Sequence, residues 1–302
     1  MFRSICIFTF IVTFLYFGFS RTAEILNEPP VNFPINDDVV ITDGMTHKDI
    51  SAFLEEKQVV ASSLYFDFIL SHEFENKFVQ AGIYNFTEMH SSSEVADILT
   101  SGTNSTPLVR ITFPEGFEIQ DINKYLPESF QNSSAASHVS YLEGFLFPDT
   151  YFVPKNFTLE ELVTLMQKNF NDKIETISTQ ISNSGMSKED VVTLASIVER
   201  EAKDSDSKKI VAGILLNRLK SNMPLQTDAV FTYILHKTSD ELTMHDLEMD
   251  SPYNTYTHKG LPPTPIANPG MESILAVLEP TESKYMYYLT DSDGIFHYAK
   301  TF

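Results

Sequence analysis

The sequence predicts an α+β protein made of three parts: an N-terminal transmembrane helix, a small α+β module and a larger mixed α+β domain. Three observations predict this organisation. The chain begins with an uncharged apolar run, its first hundred residues alternate between short helical and strand-like patterns, and the remainder is mostly helical in its periodicity. A length of 302 residues with 42% hydrophobic residues is sufficient for one large or two modest domains with proper cores.

Residues 1–21 are predicted to be an uncleaved transmembrane signal anchor. The segment 4–20 carries no charge and has an arginine on each side. A run of about 17 residues is at the short end of what crosses a bilayer. A cleaved signal peptide and a buried core helix are the alternatives, and there is no clean small-x-small cleavage site before Thr22. Residues 22–37 are Pro-rich and are predicted to be a linker, with the body of the protein outside the cytoplasm.

The first module is predicted to cover residues 38–107. A short strand at Val39–Thr42 precedes a helix that Thr46 caps, and a second helix follows at Leu64–Leu70. Phe78–Phe86 is predicted to be a strand, and Ser91 opens another capped helix. This arrangement of strand, helices and strand predicts a small LysM-like module.

The larger domain is predicted to cover residues 108–302. It begins with a strand at Leu108–Pro114, and the capping box at Thr158 predicts a long helix through about Ser182. Ser187 caps a further helix, and the mostly apolar segment Ile210–Leu219 predicts a helix deep in the core.

The C-terminal part of this domain changes in character. Residues 223–270 are rich in Pro, Asn, Thr and Tyr with little periodicity, and so long an irregular stretch is often functional. A helix is predicted over Gly270–Leu278. Two strands at Tyr285–Thr290 and Ile295–Ala299, joined by an Asp293–Gly294 turn, predict a closing hairpin.

Charge and composition exclude several classes of function. There are 41 acidic and 21 basic residues, and a net charge of −20 argues against nucleic acid, whose binders need clustered Lys and Arg. The single cysteine, Cys6, permits neither an intramolecular disulfide nor a cysteine-based zinc site. The eight histidines are scattered and there is no Gly-rich phosphate loop, so we predict no metal site and no cofactor.

Glu143 is the leading candidate for a catalytic residue. Its neighbours in the sequence are apolar: Leu142, Phe145, Leu146 and Phe147. Such surroundings raise the pKa of a carboxyl group, so that it can hold a proton near neutral pH and donate it to the oxygen of a glycosidic bond. The alternative is an exposed glutamate at a helix end, with Gly144 as the cap.

A conventional glycosidase would need a second carboxylate. Asp149 is a candidate, although it also fits the cap of a turn. Glu199 and Glu201 fit the solvent-exposed face of a helix better than a catalytic pair. The sequence EGF at 115–117 repeats that at 143–145, but it follows a strand and is predicted to start a turn.

Three segments of the irregular stretch combine proline with amides, hydroxyls and aromatic rings, as sugar-binding clefts do. They are 223–228 (MPLQTD), 251–256 (SPYNTY) and 260–270 (GLPPTPIANPG). A proline-stiffened structural loop is the alternative interpretation.

Taken in order, several motifs resemble those of the endolytic murein transglycosylase family, also described as YceG-like. They are LEGFLFPDTYF, LASIVERE, ILLNRL, MPLQTDAV, SPYNTY, GLPPTPIANPG and YYLTDSDGIFHYAKT, from about Asp38 to the end. The resemblance implies a single-pass protein of the bacterial inner (plasma) membrane, with a LysM-like region and an extracytoplasmic catalytic domain. It makes Glu143 the catalytic residue and implies eight cleft residues: Gln226, Asp228, Tyr253, Asn254, Tyr256, Leu261, Pro262 and Asn268.

The chain departs from the family pattern in two respects. The family often has Trp beside its glutamate, whereas this chain contains no Trp and has Phe145 and Phe147 there. Family members usually continue beyond the final AKTF, so a clipped gene or a fragment is one explanation for an end at Phe302.

The resemblance implies a peptidoglycan lyase that cuts the bond between N-acetylmuramic acid and N-acetylglucosamine and leaves 1,6-anhydro ends. It also implies a role in ending strand growth, with penicillin-binding proteins or other wall synthases as partners. The residues by themselves do not favour a lyase over a hydrolase. A non-catalytic glycan-binding scaffold of the wall-synthesis machinery is the alternative from another functional class.

Overall fold

The computed structural model describes residues 20–103, 105–127, 139–154, 157–291 and 295–301. Residues 20–27 are helical, and the rest of the predicted anchor over 1–21 lies outside the described residues. Among the helices that the structure describes, none has the length and apolar character needed to cross a bilayer. The chain divides into two compact units, Met1–Val109 with Phe152–Asn156, and Arg110–Tyr151 with Phe157–Phe302. The predicted domain boundaries stay a prediction.

The first unit has an α+β core. Its elements are β1 (Asp38–Ile41), α1 (His47–Glu56), α2 (Ser63–His72), β2 (Gly82–Asn85), α3 (Ser92–Ser101) and β3 (Ser105–Thr106). The strands form an antiparallel sheet in the order β1-β2-β3, with Val39 opposite Tyr84 and Ile83 opposite Thr106. The strand predicted over Phe78–Phe86 forms only at its C-terminal end.

Local signals explain where these helices begin and end. Thr46 with Asp49, and Ser91 with Glu94, form complete capping boxes at the starts of α1 and α3. Gly102 ends α3 in the left-handed conformation, at a φ of 70°, which glycine adopts without steric cost. The apolar faces of these elements then form one buried core that includes Leu54, Phe66, Leu70, Tyr84 and Leu99.

The second unit is larger and mainly helical. Its helices are α4 (Ile122–Tyr125), α5 (Leu159–Glu175), α6 (Ser178–Ser184), α7 (Lys188–Glu201), α8 (Ser205–Lys220), α9 (Ala229–Leu235), α10 (Met244–Leu247) and α11 (Met271–Leu278). The unit boundaries divide two paired strands, β4 (Leu108–Thr112) and β5 (Thr150–Pro154): Arg110–Thr112 and Thr150–Tyr151 belong to this unit, and the remaining residues of both strands belong to the first. A second, antiparallel pair closes the chain, β6 (Tyr287–Thr290) with β7 (Phe296–Ala299). The Asp293–Gly294 turn predicted between them lies outside the described residues.

Where one long helix was expected from Thr158 to Ser182, there are two, α5 and α6, with a break after Glu175. The Thr176 hydroxyl donates to the carbonyl oxygen of Lys173 at 2.6 Å, and the Ser178 hydroxyl donates to that of Glu175 at 2.8 Å. Short hydroxyl side chains that bond to nearby backbone compete with helix continuation, which accounts for the break.

The irregular stretch at 223–270 also contains more structure than its periodicity predicts. It includes α9, α10 and a 3-10 turn at Ser239–Glu241. Asp228 makes no side-chain capping bond at the start of α9, so this helix lacks the sequence signature of an N-terminus. Ala229, Val230 and Phe231 are buried, and tertiary packing rather than a local signal therefore forms the helix.

Candidate active site

Glu143 lies in a turn between a 3-10 segment, Ser140–Leu142, and β5. Its side chain is buried, with only 4% of the residue exposed, so the alternative interpretation of an exposed glutamate is wrong. Gly144 follows with a φ of 87°, and a Cβ there would lie 2.4 Å from Cβ of Pro265. Only glycine fits both the backbone conformation and the close approach, and the turn thereby fixes the position of the carboxyl group.

Two donors contact the Glu143 carboxyl group. The backbone N–H of Ile119 is 3.1 Å from Oε2, and Nδ2 of Asn268 donates to Oε1 at 2.8 Å. Burial raises the pKa of Glu143 to about 8, and the charges of Glu118 and Asp121 act in the same direction. The Ile119 hydrogen bond opposes this increase, as does Arg200, and the effect of burial is the larger one. Glu143 is therefore mostly protonated at neutral pH.

Asn268 is completely buried and holds the segments around Glu143 together. The backbone N–H of Leu146 donates to its Oδ1 at 2.9 Å, so the amide nitrogen must be the atom directed at Glu143. The same Nδ2 donates to the carbonyl oxygen of Phe117 at 3.2 Å, and the Asn268 carbonyl accepts from the N–H of Gly116 at 2.9 Å. Asn268 therefore forms hydrogen bonds with Glu143, with the segment at 116–117 and with Leu146.

A charged cluster lies beside this carboxyl group. Oε1 of Glu118 is 3.4 Å from Nη1 of Arg200, and Gln120 donates a hydrogen bond to the other oxygen of Glu118. Gln120 also contacts Nδ1 of His236 at 3.2 Å. These four side chains line an open cavity of about 390 Å³. A polar ligand could therefore reach the region next to Glu143.

A model of the YceG-like family matches residues 39–302. The chain belongs to the YceG-like family. It is 31% identical over 291 residues to a Bacillus subtilis (strain 168) protein named endolytic murein transglycosylase, and the match covers 86% of this chain and 80% of that protein. A Streptococcus pneumoniae (strain D39) protein of the same name is 26% identical to this chain. That match covers 94% of this chain and 60% of the Streptococcus pneumoniae protein.

A solved structure supports the family and the fold. The 2.6 Å crystal structure of a yceG-like protein from Listeria monocytogenes has a TM-score of 0.55 and 30% identity to this chain. The match covers 88% of this chain and 96% of that one. The predicted family and the α+β class are thus confirmed for this YceG-like chain.

Of the eight predicted cleft residues, Tyr253 contacts Tyr233, whose pKa responds to the charge of Glu143. Its ring centroid is 5.7 Å from that of Tyr233, and its hydroxyl is 2.7 Å from Oγ1 of Thr264. Burial raises the pKa of Tyr233, and the charge of Glu143 is the next largest cause. Tyr233 and Tyr253 together offer aromatic surface of the kind on which sugar rings stack.

Asp228 and Tyr256 belong to a second polar network. The Tyr256 hydroxyl donates to Oδ1 of Asp228 at 2.6 Å. Nearby, Oε2 of Glu201 accepts from the Tyr288 hydroxyl at 2.9 Å, and burial raises the pKa of Glu201. The expectation that Glu201 lies on a solvent face is wrong, because β6 and the start of α9 cover its carboxylate.

The expectation of a position on the solvent-exposed face of a helix is also wrong for Glu199, whose side chain is 7% exposed. Its Oε1 is 2.9 Å from Nζ of the buried Lys208. Its Oε2 accepts from the backbone N–H of Gly270 at 2.9 Å and from the Ser273 hydroxyl at 2.7 Å. Glu199 thus caps the start of α11 and fixes the loop that carries Asn268.

Asn254 and Gln226 are placed differently from each other. Asn254 is completely buried, and its Nδ2 donates to the carbonyl oxygens of Leu247 at 2.9 Å and Met249 at 2.8 Å. Its Oδ1 accepts from the N–H of Tyr256 at 2.9 Å, so the side chain stabilises the loop. Gln226 is exposed, with a φ of 50°. A role for either residue in binding stays a prediction.

Leu261 and Pro262 line a second, larger cavity of about 710 Å³. Its other apolar residues include Met186, Leu216 and Leu219. This cavity belongs to the side of the unit formed by α6, α8 and the end of α11. The structure therefore brings Asn268 to Glu143 and puts Leu261 and Pro262 at a separate surface feature.

The second-carboxylate candidates occupy structural positions. Oδ2 of Asp149 accepts from Nδ2 of Asn169 at 3.1 Å, and its Oδ1 accepts from the next backbone N–H in the chain, as expected for a turn. Oε2 of Glu115 is 3.9 Å from Nζ of Lys208. Within the described ranges, no group of three or more His, Cys, Asp or Glu side chains is arranged to hold a metal ion.

Sequence reasoning missed four contributors to the site: the backbone of Ile119 and the side chains of Glu118, Arg200 and Tyr233. The repeated EGF at 115–117 and 143–145 is the one signal that points to Glu118 and Ile119. These two residues follow the first copy, and the Ile119 N–H donates to the glutamate of the second copy, Glu143. No spacing in the sequence connects Tyr233, on α9, or Arg200, at the end of α7, with Glu143.

Proposed function

We propose that this chain is a lytic murein transglycosylase that cuts the glycan strands of peptidoglycan, with Glu143 as the catalytic acid and base. The observation that carries the proposal is a buried carboxyl group with a pKa of about 8, next to an open polar cavity. The names of the related proteins from Bacillus subtilis and Streptococcus pneumoniae support the same activity.

The proposed reaction has two proton transfers at one residue. Protonated Glu143 donates its proton to the oxygen that links C1 of N-acetylmuramic acid to N-acetylglucosamine, and the C1–O bond breaks. The resulting carboxylate takes the proton from the C6 hydroxyl of the same muramyl residue. That oxygen bonds to C1, which gives a 1,6-anhydro end and returns Glu143 to its protonated form.

The hydrogen bonds at Glu143 suit both steps. Asn268 directs a neutral amide N–H at Oε1, and Ile119 directs a backbone N–H at Oε2. Both donors stabilise the carboxylate formed after the first transfer, while burial keeps the resting group protonated. A pKa near the working pH allows one residue to give up a proton and recover it.

A lyase needs no carboxylate to activate water, in contrast to an inverting hydrolase. Two other carboxylates act electrostatically on Glu143 from the cavity wall: Glu118, which is bound by Arg200 and Gln120, and Asp121, whose Oδ1 is 2.7 Å from Nζ of Lys124. Burial raises the pKa of Glu118 in spite of the contacts with Gln120 and Arg200, which act in the opposite direction. The lyase is supported by the name of the related proteins, endolytic murein transglycosylase.

The location and the partners are part of the proposal. The apolar N-terminal segment would anchor the protein in the bacterial plasma membrane, with both units outside the cytoplasm. The first unit, in which two helices lie between the paired strands β1 and β2, would act as a LysM-like module that contacts the glycan. Anchoring would bring the site close to newly made strands and to wall synthases, where cutting would end strand growth.

The test compares the full-length wild type with Glu143→Gln on uncrosslinked glycan strands, with the new ends identified by mass spectrometry. Glu189→Gln is the matched control, because Glu189 carries the same functional group on an exposed side chain, 65% accessible, at the start of α7. We expect anhydro ends from the wild type and from the control, and none from Glu143→Gln.

Other products would change the conclusion. Reducing ends would replace the lyase with a hydrolase. Intact strands with all three proteins, together with glycan binding that survives Glu143→Gln, would favour the non-catalytic scaffold.

A further inference from the structure

The cavity lined by Glu118 and Arg200 is connected to Glu143 through the backbone of Ile119. Glu118 and Gln120 line it, and they flank Ile119, whose N–H lies 3.1 Å from Oε2 of Glu143. Arg200, which also lines the cavity and is 3.4 Å from Glu118, acts on the pKa of Glu143 as well. A group bound in this cavity would therefore belong to the sugar whose bond is cut, or to its immediate neighbour.

The cavity differs in charge from the rest of the protein. Its lining includes three basic side chains, Lys124, Arg200 and Lys237, and two acidic ones, Glu118 and Asp121. These five have a formal charge of +1, whereas the whole chain has a charge of −20; Nζ of Lys237 is also bound by Asp246, at 2.7 Å from Oδ1 and 2.8 Å from Oδ2. The sugar backbone of peptidoglycan is neutral while each lactyl group is amide-bonded to its stem, so a lining with charges of both signs indicates a charged group outside the sugar rings.

The cations can exchange partners. Nζ of Lys124 is 2.7 Å from Oδ1 of Asp121, but the lysine side chain is 69% exposed, and such surface pairs contribute little stability. Both contacts of Arg200 within the described residues, to Glu118 and to the carbonyl oxygen of Gly116, use Nη1. A guanidinium group has five N–H donors, so Nε and Nη2 can donate hydrogen bonds to a carboxylate of the ligand.

We propose that this cavity binds the peptide stem of the muramyl residue that is cut. The inference rests on the proposed function, because only peptidoglycan provides such a stem. The stem is attached to the same sugar ring whose C1–O bond breaks, so its first residues must lie close to Glu143. It carries free carboxylates and, when uncrosslinked, a free amine, which match the basic and acidic walls respectively. The protein therefore selects strands that keep their stems.

The test measures kcat/KM of the full-length protein on two substrates, uncrosslinked strands with intact stems and the same strands after an amidase has removed the stems. The variant is Lys124→Gln, whose exposed position keeps the fold intact. The control is Lys168→Gln, since Lys168 is 70% exposed and 2.7 Å from Asp172 but does not line the cavity.

We expect the wild type to prefer stem-bearing strands by roughly fivefold or more, which is the range of one or two partly exposed ion pairs. Lys124→Gln should reduce this ratio severalfold, mainly through a higher KM on stem-bearing strands, and Lys168→Gln should keep the wild-type ratio. Equal rates on both substrates would overturn the inference and leave the proposed function standing. A preference that Lys124→Gln does not change would also overturn it.

If the wild type cuts neither substrate, the proposed function fails and a binding measurement tests the cavity by itself. Calorimetry with the disaccharide pentapeptide and with the bare disaccharide provides this measurement. Binding that needs the stem and is weaker in Lys124→Gln would support the cavity as a stem site. Equal binding of the two compounds, or no binding of either one, would overturn the proposed stem site.

Discussion

Replacing Glu143 with glutamine should change how the stability of the protein depends on pH. The pKa of Glu143 rises from its ordinary value of 4.5 to about 8 in the folded state. Between these values the folded protein holds a proton that the unfolded chain has released, so stability falls as the pH increases. This contribution is fully present below pH 4.5 and is lost as the pH rises to about 8.

The magnitude follows from the difference between the two pKa values. Each pH unit within the window costs the wild type about 1.4 kcal/mol, so the free energy of unfolding should fall by about 4 kcal/mol between pH 5 and pH 8 because of this group. Glutamine resembles the protonated acid and does not titrate. Glu143→Gln should therefore lack this decrease, with an offset at every pH because the glutamine NH2 cannot accept the hydrogen bond that one of the two carboxyl oxygens accepts from Ile119 or Asn268.

The assay is urea unfolding at pH 5, 6, 7 and 8, followed by circular dichroism because the chain contains no Trp for fluorescence. Subtracting the variant curve from the wild-type curve removes the contribution of the other titrating groups. Glu189→Gln, at an exposed position, should follow the wild type. Parallel pH dependences of wild type and Glu143→Gln would show that burial does not hold the proton on Glu143, and the proposed acid would lose its basis.

Three further predictions concern the surroundings of this group. Asn268→Ala should reduce the free energy of unfolding by about 2–4 kcal/mol in urea titrations, because it leaves buried polar groups unpaired, and it should lower kcat. Glu118→Gln should move the alkaline limb of the pH–rate profile to lower pH, since removing a negative charge lowers the pKa of Glu143; an unchanged limb would contradict this. Gly144→Ala should lower the melting temperature far more than Gly185→Ala, because both have positive φ but only the first has a clash.

The local signals in the sequence predicted most of the secondary structure. Thr46, Ser91 and Thr158 each have an acidic residue three positions later, and all three form the reciprocal hydrogen bonds of a capping box. These bonds connect neighbours in the chain, so the pattern of residue types is sufficient to predict them. The break after Glu175 and the helix α9 escaped prediction, because side-chain hydroxyls and long-range packing decided them.

The sequence by itself determined the family, the α+β class and the choice of Glu143, since the apolar residues beside it are its neighbours in the chain. Only the tertiary structure decided how that carboxyl group is held. Its donors lie 24 residues before it, at Ile119, and 125 residues after it, at Asn268. The charge of Glu118 comes from the same segment as Ile119, and the charge of Arg200 comes from the end of α7. A pKa depends on solvent access and on charges within a few ångströms, and folding brings these groups together from segments that share no local pattern.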